Sequence, residues 1–421
     1  MERLAGRLAL VALLALGLAI AVGAAGGPSR RLTPSSEAGF PAWFAGPLAE
    51  LAPGRLVEVA FWLLLLAMGA CYLAVLGLAQ CAGARWVVGA IVGLHLVFAL
   101  APPLLSTDAF GYLAVARAVA RAGASPYAPL AETLARDPVL PLLVWEARPN
   151  PYGPLFTAAT VPLAWLGIAG GLWAVKALAA ATSLALVALV ARTARGLGRD
   201  PVAATAFVGL NPLLLVWAVG GAHNDALLML LVVGALALLA AGRERLGGAA
   251  VAGAIAVKAS VAVLAPILVL GARRRLPALA GLAAGLLAAG AVALAVLGPA
   301  VAGFPASLTD QAALRSPNST LHLLGQALGH GGATPALRAA GAVVLAVSLI
   351  VLYVRVARGA DPIAAAGWAT VATLVTTTWL MPWYVVWVLP LAALAPGRAL
   401  RGAALALCAF VALMRAPLPL G

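Results

Sequence analysis

Apolar residues fall in long blocks along this chain, with the polar residues collected between blocks rather than alternating with them. Crossing the hydrocarbon core of a bilayer takes about 20 apolar residues in helical form, and several blocks reach that length. The pattern predicts helices near 8–23, 57–79, 86–103, 201–219, 225–241, 277–301, 337–356, 362–379, 382–395 and 400–416. Arg3 and Arg7 precede the first block. Small residues near Ala24 give it a signal-peptide look, and a retained first helix is the other reading. Residues 25–56, with Glu37 and Glu50, then face outward.

Two stretches resist simple crossings. Five arginine clusters mark one inner side by the positive-inside rule: Arg192, Arg195 and Arg199; Arg243 and Arg245; Arg273, Arg274 and Arg275; Arg355 and Arg358; Arg398 and Arg401. Two apolar runs lie between Tyr152 and Arg192, where an odd number of crossings is needed. A single run between Arg245 and Arg273 has to enter and return. Short, broken or re-entrant segments meet both demands, and breakers stand at Gly167-Ile168-Ala169-Gly170-Gly171, at Lys258-Ala259-Ser260 and at Pro266. Irregular backbone at membrane depth is tolerated only where it is buried or lines a wet cavity. The expectation is therefore an all-α, polytopic bundle of about twelve transmembrane segments over 1–421, with a polar cavity open to the outside. Outer loops fall at 104–151, holding Glu132, Asp137, Glu146 and Arg148, and at 302–336, holding Asp310, Arg315, Asn318, His322 and His330. Helical spacing over 108–123 predicts a short interfacial helix at headgroup depth.

Composition excludes a water-soluble chain. Hydrophobic residues make up 64%, charged residues 10%, and the mean hydropathy is +1.05, against about 25% charged residues in soluble domains. The net charge of +14 does not point to nucleic acid, because the arginines are spread as topology signals between apolar segments. Abundant Ala and Gly suit close helix packing in a membrane. Cys71, Cys81 and Cys408 have no metal or disulfide spacing.

Ionisable groups at the edge of membrane segments are costly and mark function. Asp108, in Leu105-Ser106-Thr107-Asp108-Ala109-Phe110-Gly111-Tyr112, is a carboxylate at the outer mouth of an apolar segment, where it is either a helix cap or a general base. His223-Asn224-Asp225 reads as a capped outer turn or as a polar corner that orders a sugar. Lys258, one of two lysines in the chain, either snorkels to an interface or faces a lipid-linked phosphate from a broken helix. Arg117, Arg121, Arg148 and Arg315 are outer arginines suited to phosphate oxygens or to headgroups. His95 and Lys176 read as interface or packing residues. Trp379, Trp383, Tyr384 and Trp387 cluster around Pro382 as an aromatic belt or a sugar-stacking surface. Metal binding is poorly supported, since the chain has no Asp-x-Asp pair and no clustered His or Cys. A Walker-type phosphate loop and a nucleophile elbow are likewise missing from the sequence.

Thr107-Asp108 with Phe110 and Tyr112, Gly123-x-x-Pro126-Tyr127, and Asn150-Pro151-Tyr152-Gly153-Pro154-Leu155 resemble polyprenol-phosphate-mannose-dependent mannosyltransferases of the integral-membrane GT-C class, in particular the bacterial α-1,6-mannosyltransferases of lipoglycan synthesis. Gly221-Ala222-His223-Asn224-Asp225, Val257-Lys258 and Pro382-Trp383-Tyr384 continue the likeness in order. The chain differs from many members in having Thr107 where a second acid precedes Asp108, Ser125 before Pro126-Tyr127, and Ala259 after Lys258. The resemblance implies inverting transfer of a sugar, mannose first, from a polyprenyl-phosphate donor to a glycan or glycolipid acceptor on the extracytoplasmic face of a bacterial cytoplasmic membrane. No cofactor is needed. Asp108 would be the catalytic base, with a pKa raised by partial desolvation. Lys258 with Arg315 or Arg148 would hold the phosphate, and His223, Asn224 and Asp225 would order sugar or acceptor. Tyr112, Tyr152, Trp383 and Tyr384 are the remaining binding residues in the matched motifs. Two other classes stay open: a transporter or flippase for a lipid-linked or anionic substrate, built on the same broken helices, and a structural partner of an envelope-synthesis complex.

Overall fold

The computed structural model describes residues 1–29, 32–33, 40–144 and 148–416; Glu37 and Glu146 lie outside these. Among the described residues the regular structure is helical, with one isolated bridge between Ser29 and Thr33. The principal helices are α1 Glu2–Ala25, α2 Glu58–Ala82, α3 Ala84–Leu100, α4 Asp108–Ala122, α5 Gly167–Gly196, α6 Pro201–Gly209, α7 Asp225–Ala240, α8 Glu244–Val257, α9 Arg275–Leu297, α10 Pro335–Ala357, α11 Pro362–Thr376 and α12 Ala399–Arg415. Among the described residues, five helical stretches are long and apolar enough to cross a membrane: Glu2–Ala25, Glu58–Ala82, Pro154–Gly196, Arg275–Ala313 and Pro335–Ala357. Shorter apolar helices of 10–17 residues accompany them. This is a polytopic helical membrane protein, and many of the expected crossings are shorter or interrupted.

Helix starts follow local chemistry. Asp200, Thr334 and Asp361 each accept a bond from a first-turn N–H, and a proline opens the helix behind each of them. The expected breaks are present. Gly167, at φ +71°, separates α5 from the short helix Pro154–Thr160 and the 3-10 turn Val161–Leu166. Lys258 is extended between α8 and the 3-10 turn Ala259–Leu264. Two helices expected to be continuous are also interrupted: α6 stops at Gly209 and a π-helix follows over Leu214–Val219, while Pro382–Trp387 is a 3-10 turn ahead of the helix Leu389–Leu394.

Small residues set the closest packing. A Cβ on Gly248 of α8 would stand 1.9 Å from the Ala278 carbonyl of α9, and one on Gly281 of α9 would stand 1.9 Å from the Arg245 carbonyl. Gly281 and Gly285 are spaced as a small-xxx-small pair, the arrangement that lets membrane helices touch backbone to backbone. The arginine-bearing ends are tied together. Arg7 lies 5.1 Å over the Trp86 ring, Gln80 bonds Asp200, and Arg275 donates to the Ala357 carbonyl at 3.4 Å. Helices α3, α8 and α11 each run from that end toward residues 104–108, 258 and 377 at the other.

The helix α4 departs from expectation. It was expected to lie at headgroup level, yet Ala109, Phe110 and Tyr112 through Ala118 are all buried, because α4 is covered by Val161–Leu166, by α5 and by Pro154–Thr160. Arg117 and Arg121 are therefore taken up by protein groups. Arg117 pairs with Asp137 through Nε at 2.9 and 3.0 Å and Nη2 at 2.8 Å, and Arg121 donates to the Ala164 carbonyl at 2.9 Å. Burial alone would raise the Asp137 carboxyl, but the Arg117 bonds and the Val139 N–H outweigh it and hold the group below its usual range.

A depressed folded pKa adds stability above the unfolded carboxylate value, about 4, and loses it as pH falls through the folded value. Asp137→Asn leaves Arg117 buried without its counter-charge and should cost on the order of 3 kcal/mol. Thermal unfolding in detergent should show the gap between wild type and variant at pH 7 and its closure in strong acid.

Candidate active site

Asp108 is presented by a strained turn. Leu105 has φ +61°, rare for a residue with a side chain, and its N–H donates to the Leu32 carbonyl at 2.8 Å. Leu104 donates to the Gly220 carbonyl at 3.1 Å. The Asp108 N–H is taken by Ser106 Oγ at 3.1 Å. Asp108 is then the first residue of α4, and its carboxylate caps nothing; the helix-cap reading falls, and the side chain turns to the cavity. Its Oδ2 accepts from the Tyr152 hydroxyl at 2.7 Å and lies 3.2 Å from His223 Nδ1. Both contacts fall on Oδ2, so Oδ1 carries neither.

The expected rise in the Asp108 pKa is not found. Burial pushes it up, but His223, the Tyr152 hydroxyl and the charge of Lys258 together outweigh burial and hold it below the usual carboxylate range. Favourable partners of the charged form beat desolvation here.

His223 arrives through a second strained turn. The π-helix Leu214–Val219 leads into Gly220-Gly221-Ala222, and Ala222 sits at φ +59°. The imidazole stacks on Trp383 with centroids 3.8 Å apart and planes 17° from parallel. Asn224 is buried with no side-chain cap bond, and Asp225 opens α7 at zero exposure. Asp225 Oδ1 accepts from Lys258 Nζ at 2.8 Å and from Trp387 Nε1 at 2.5 Å.

Lys258 owes its place to the interrupted helix. Its ammonium lies 4.7 Å over the Tyr384 ring, 5.1 Å over Trp387 and 5.7 Å over Tyr152, so three aromatic faces and one carboxylate hold it. The break is locked to the Asn150–Pro154 stretch: the Gly153 N–H donates to the Val257 carbonyl at 2.9 Å, and a Cβ there would stand 2.2 Å from the Ala256 carbonyl. Asn150 fixes the same stretch, donating to Thr157 Oγ1 at 2.9 Å and accepting from the Tyr152 N–H at 3.3 Å. Tyr112 packs edge-on to Tyr152 at 4.9 Å.

These groups meet at a cavity of about 450 Å³. Asp108, Tyr152, Lys258, Arg148, Trp383 and Tyr384 line it. Tyr112, His223, Asn224 and Asp225 stand behind that lining. Arg315 is exposed and is not part of the wall, nor are His322 and His330. Among the described lining residues Asp108 is the only carboxylate. Much of the remaining lining is apolar, with Leu308, Ala312, Leu314, Leu374 and Met381. His95 is a packing residue as expected, bonded to the Ile91 carbonyl and Ser183 Oγ at 2.8 Å each. Sequence reasoning placed Trp387 in the aromatic cluster and Asn150 and Gly153 in a matched motif, without a site role for any of the three. An indole inside an apparent aromatic belt gives no sign of an N–H aimed inward, whereas the Asn and Gly flanking Pro151-Tyr152 were a usable signal for a tightly held turn.

The Lys258–Asp225 pair yields a test. Asp225→Asn or Lys258→Met alone strands the other charge, at about 3–5 kcal/mol. The double variant, with no charge left to strand, should recover much of the lost thermal stability in detergent. A double variant as unstable as the sum of the singles would contradict the pairing.

Residues 6–274 match the family profile described as alpha-(1->6)-mannopyranosyltransferase, N-terminal domain, and residues 320–419 match the MptB C-terminal domain. Alpha-(1->6)-mannopyranosyltransferase A of Mycobacterium tuberculosis is 32% identical over 328 residues, covering 70% of this chain and 62% of that protein. A second alpha-(1->6)-mannopyranosyltransferase of the same organism is 29% identical over 391 residues, covering 73% and 65%. Alpha-(1->6)-mannopyranosyltransferase A of Corynebacterium glutamicum is 30% identical over 183 residues, covering 40% and 35%. The chain thus spans a little under two thirds of the length of the two M. tuberculosis relatives. No solved structure matches it. The profile covers well over half of the chain, which belongs to the alpha-(1->6)-mannopyranosyltransferase family.

Proposed function

We propose that this protein is an inverting glycosyltransferase that moves mannose from a polyprenyl-phosphate donor to a glycan or glycolipid acceptor, on the extracytoplasmic face of a bacterial cytoplasmic membrane. The observation that carries the reading is one carboxylate, Asp108, on the wall of a cavity that also presents the cation Lys258. In the proposed reaction the acceptor hydroxyl attacks the anomeric carbon and its proton passes to Asp108. The bond from that carbon to the phosphate oxygen breaks, and polyprenyl phosphate departs. A lone carboxylate suits this single displacement, since a double displacement needs a second group as nucleophile.

Tyr152 and His223 occupy Oδ2 and leave Oδ1 for the acceptor. Lys258 and Arg148 are the cations placed at the cavity for the departing phosphate, while Arg315, outside the wall, is the weaker choice. Asp225 keeps Lys258 in place, and His223 and Asn224 order the reacting groups from behind. Trp383 and Tyr384 border the sugar, with Tyr112 supporting Tyr152. A phosphate entering beside Lys258 brings negative charge and excludes water, and both effects raise the Asp108 carboxyl from its depressed resting value toward a stronger base. The apolar wall of Leu308, Leu314, Leu374 and Met381 suits the first part of a lipid chain.

The test is release of free polyprenyl phosphate by protein in nanodiscs given a panel of polyprenyl-phosphate sugars and an acceptor screen. Wild type should prefer the mannosyl donor, and Asp108→Asn should fall by about 10²–10⁴-fold, the range of general-base contributions. Equal release by both proteins removes Asp108 from the base's role. A folded wild type that binds the lipid and releases nothing moves the transporter reading ahead.

A further inference from the structure

Lys176, the second lysine, takes no part in the chemistry above. It is fully buried within α5, and its two bonds go to main-chain carbonyls, Phe98 O at 3.1 Å and Gly220 O at 2.8 Å. Phe98 lies in the last turn of α3, where carbonyls lack helical partners. Gly220 follows the π-helix, and its carbonyl also accepts the Leu104 N–H at 3.1 Å, so one oxygen joins three segments. Leu104 leads through the strained Leu105 to Asp108, and Gly220 leads through the strained Ala222 to His223. The two turns also touch directly, since a Cβ on Gly221 would be 2.9 Å from the Leu104 carbonyl.

Stability does not account for an ammonium at this position. Desolvating it is costly, and an apolar side chain of the same length removes that cost while leaving the Phe98 carbonyl without its donor, so the two terms offset. What the ammonium supplies is direction: two donors converging on the end of α3 and on the turn before His223. We propose that Lys176 is a positioning residue, whose ammonium clamps the Leu104–Asp108 turn to the Gly220–His223 turn and thereby sets the Asp108–His223 contact. Its effect on rate rests on the reading of Asp108 as the base; the clamp itself does not.

Two variants test it. Lys176→Met keeps length and removes both donors; Lys176→Gln keeps a shorter donor that reaches one carbonyl but not both. In the Met variant the melting temperature should hold while kcat drops about 10–100-fold, the scale of a misplacement near 1 Å, with donor KM within twofold of wild type. The Gln variant should fall between. Hydrogen exchange supplies a readout independent of the reaction: amides of 99–108 and 216–224 should exchange faster in the Met variant, while those of α7 do not change. A Met variant with wild-type kcat and unchanged exchange in both turns overturns the proposal. So does a variant whose kcat, KM and melting temperature all deteriorate with exchange raised throughout, which marks a general packing role. Should Lys176→Met fail to fold, the Gln variant decides by the same two readouts, wild-type values again counting against the clamp. Should wild type turn over no donor, the exchange measurement decides the clamp and the proposed chemistry fails separately.

Discussion

Backbone that leaves helical bonding at membrane depth finds no water there, so its N–H and carbonyl groups have to be met by protein. In this chain the interruptions meet one another. The Gly153 N–H goes to the carbonyl ahead of Lys258, and the Leu104 N–H goes to Gly220, just before His223. The partners are far apart in sequence, so each broken stretch holds the other at a fixed distance. Tyr152 is brought to Lys258, and Asp108 to His223, as by-products of that main-chain bonding. The site is less a set of side chains placed on a rigid bundle than the place where the bundle's exceptions cancel.

The two carboxylates at this junction are treated differently. Asp225 is sealed at zero exposure and its Oδ1 is taken by an ammonium and an indole N–H. Asp108 keeps a cavity-facing position, with its neighbours gathered on one oxygen. A carboxylate held by an ammonium and an indole N–H away from the cavity is a fixed piece of structure, whereas one that lines the cavity is available to a substrate. The neighbours that keep Asp108 charged also make it a weak base at rest. Reactivity therefore depends on what enters the cavity and on how closely the neighbours are held.

Much of the frame was legible because arginine placement and block length constrain topology strongly. The break at Lys258 followed from a single apolar run having to return, and the one at Gly167 from counting crossings against Arg192. Two helices were read as continuous although Asn211-Pro212 stands in one run and Pro382 with Pro390 in the other; those breakers were a usable signal, whereas π-helical spacing at Leu214–Val219 leaves no mark in the apolar pattern. The helix from Asp108 was misplaced at the headgroups for a related reason. Its arginine stripe looks solvent-seeking until Asp137, twenty residues on, is found to neutralise Arg117. Long-range pairing of that kind leaves no local periodicity. The sign of the Asp108 shift failed likewise, since burial can be guessed from a sequence but a hydroxyl contributed from residue 152 cannot.

Helices α7 and α8 form an antiparallel pair joined by residues 241–243, with Asp225 at the first residue of one and Lys258 just past the last of the other. The two charges are 33 residues apart in the chain and 2.8 Å apart in space. During insertion a lone aspartate or lysine entering the bilayer would each cost about 2.5–3.5 kcal/mol on translocon scales. Packed as one hairpin, the two charges meet at the end of the pair away from residues 241–243 and form a neutral couple, so neither is left alone in the lipid.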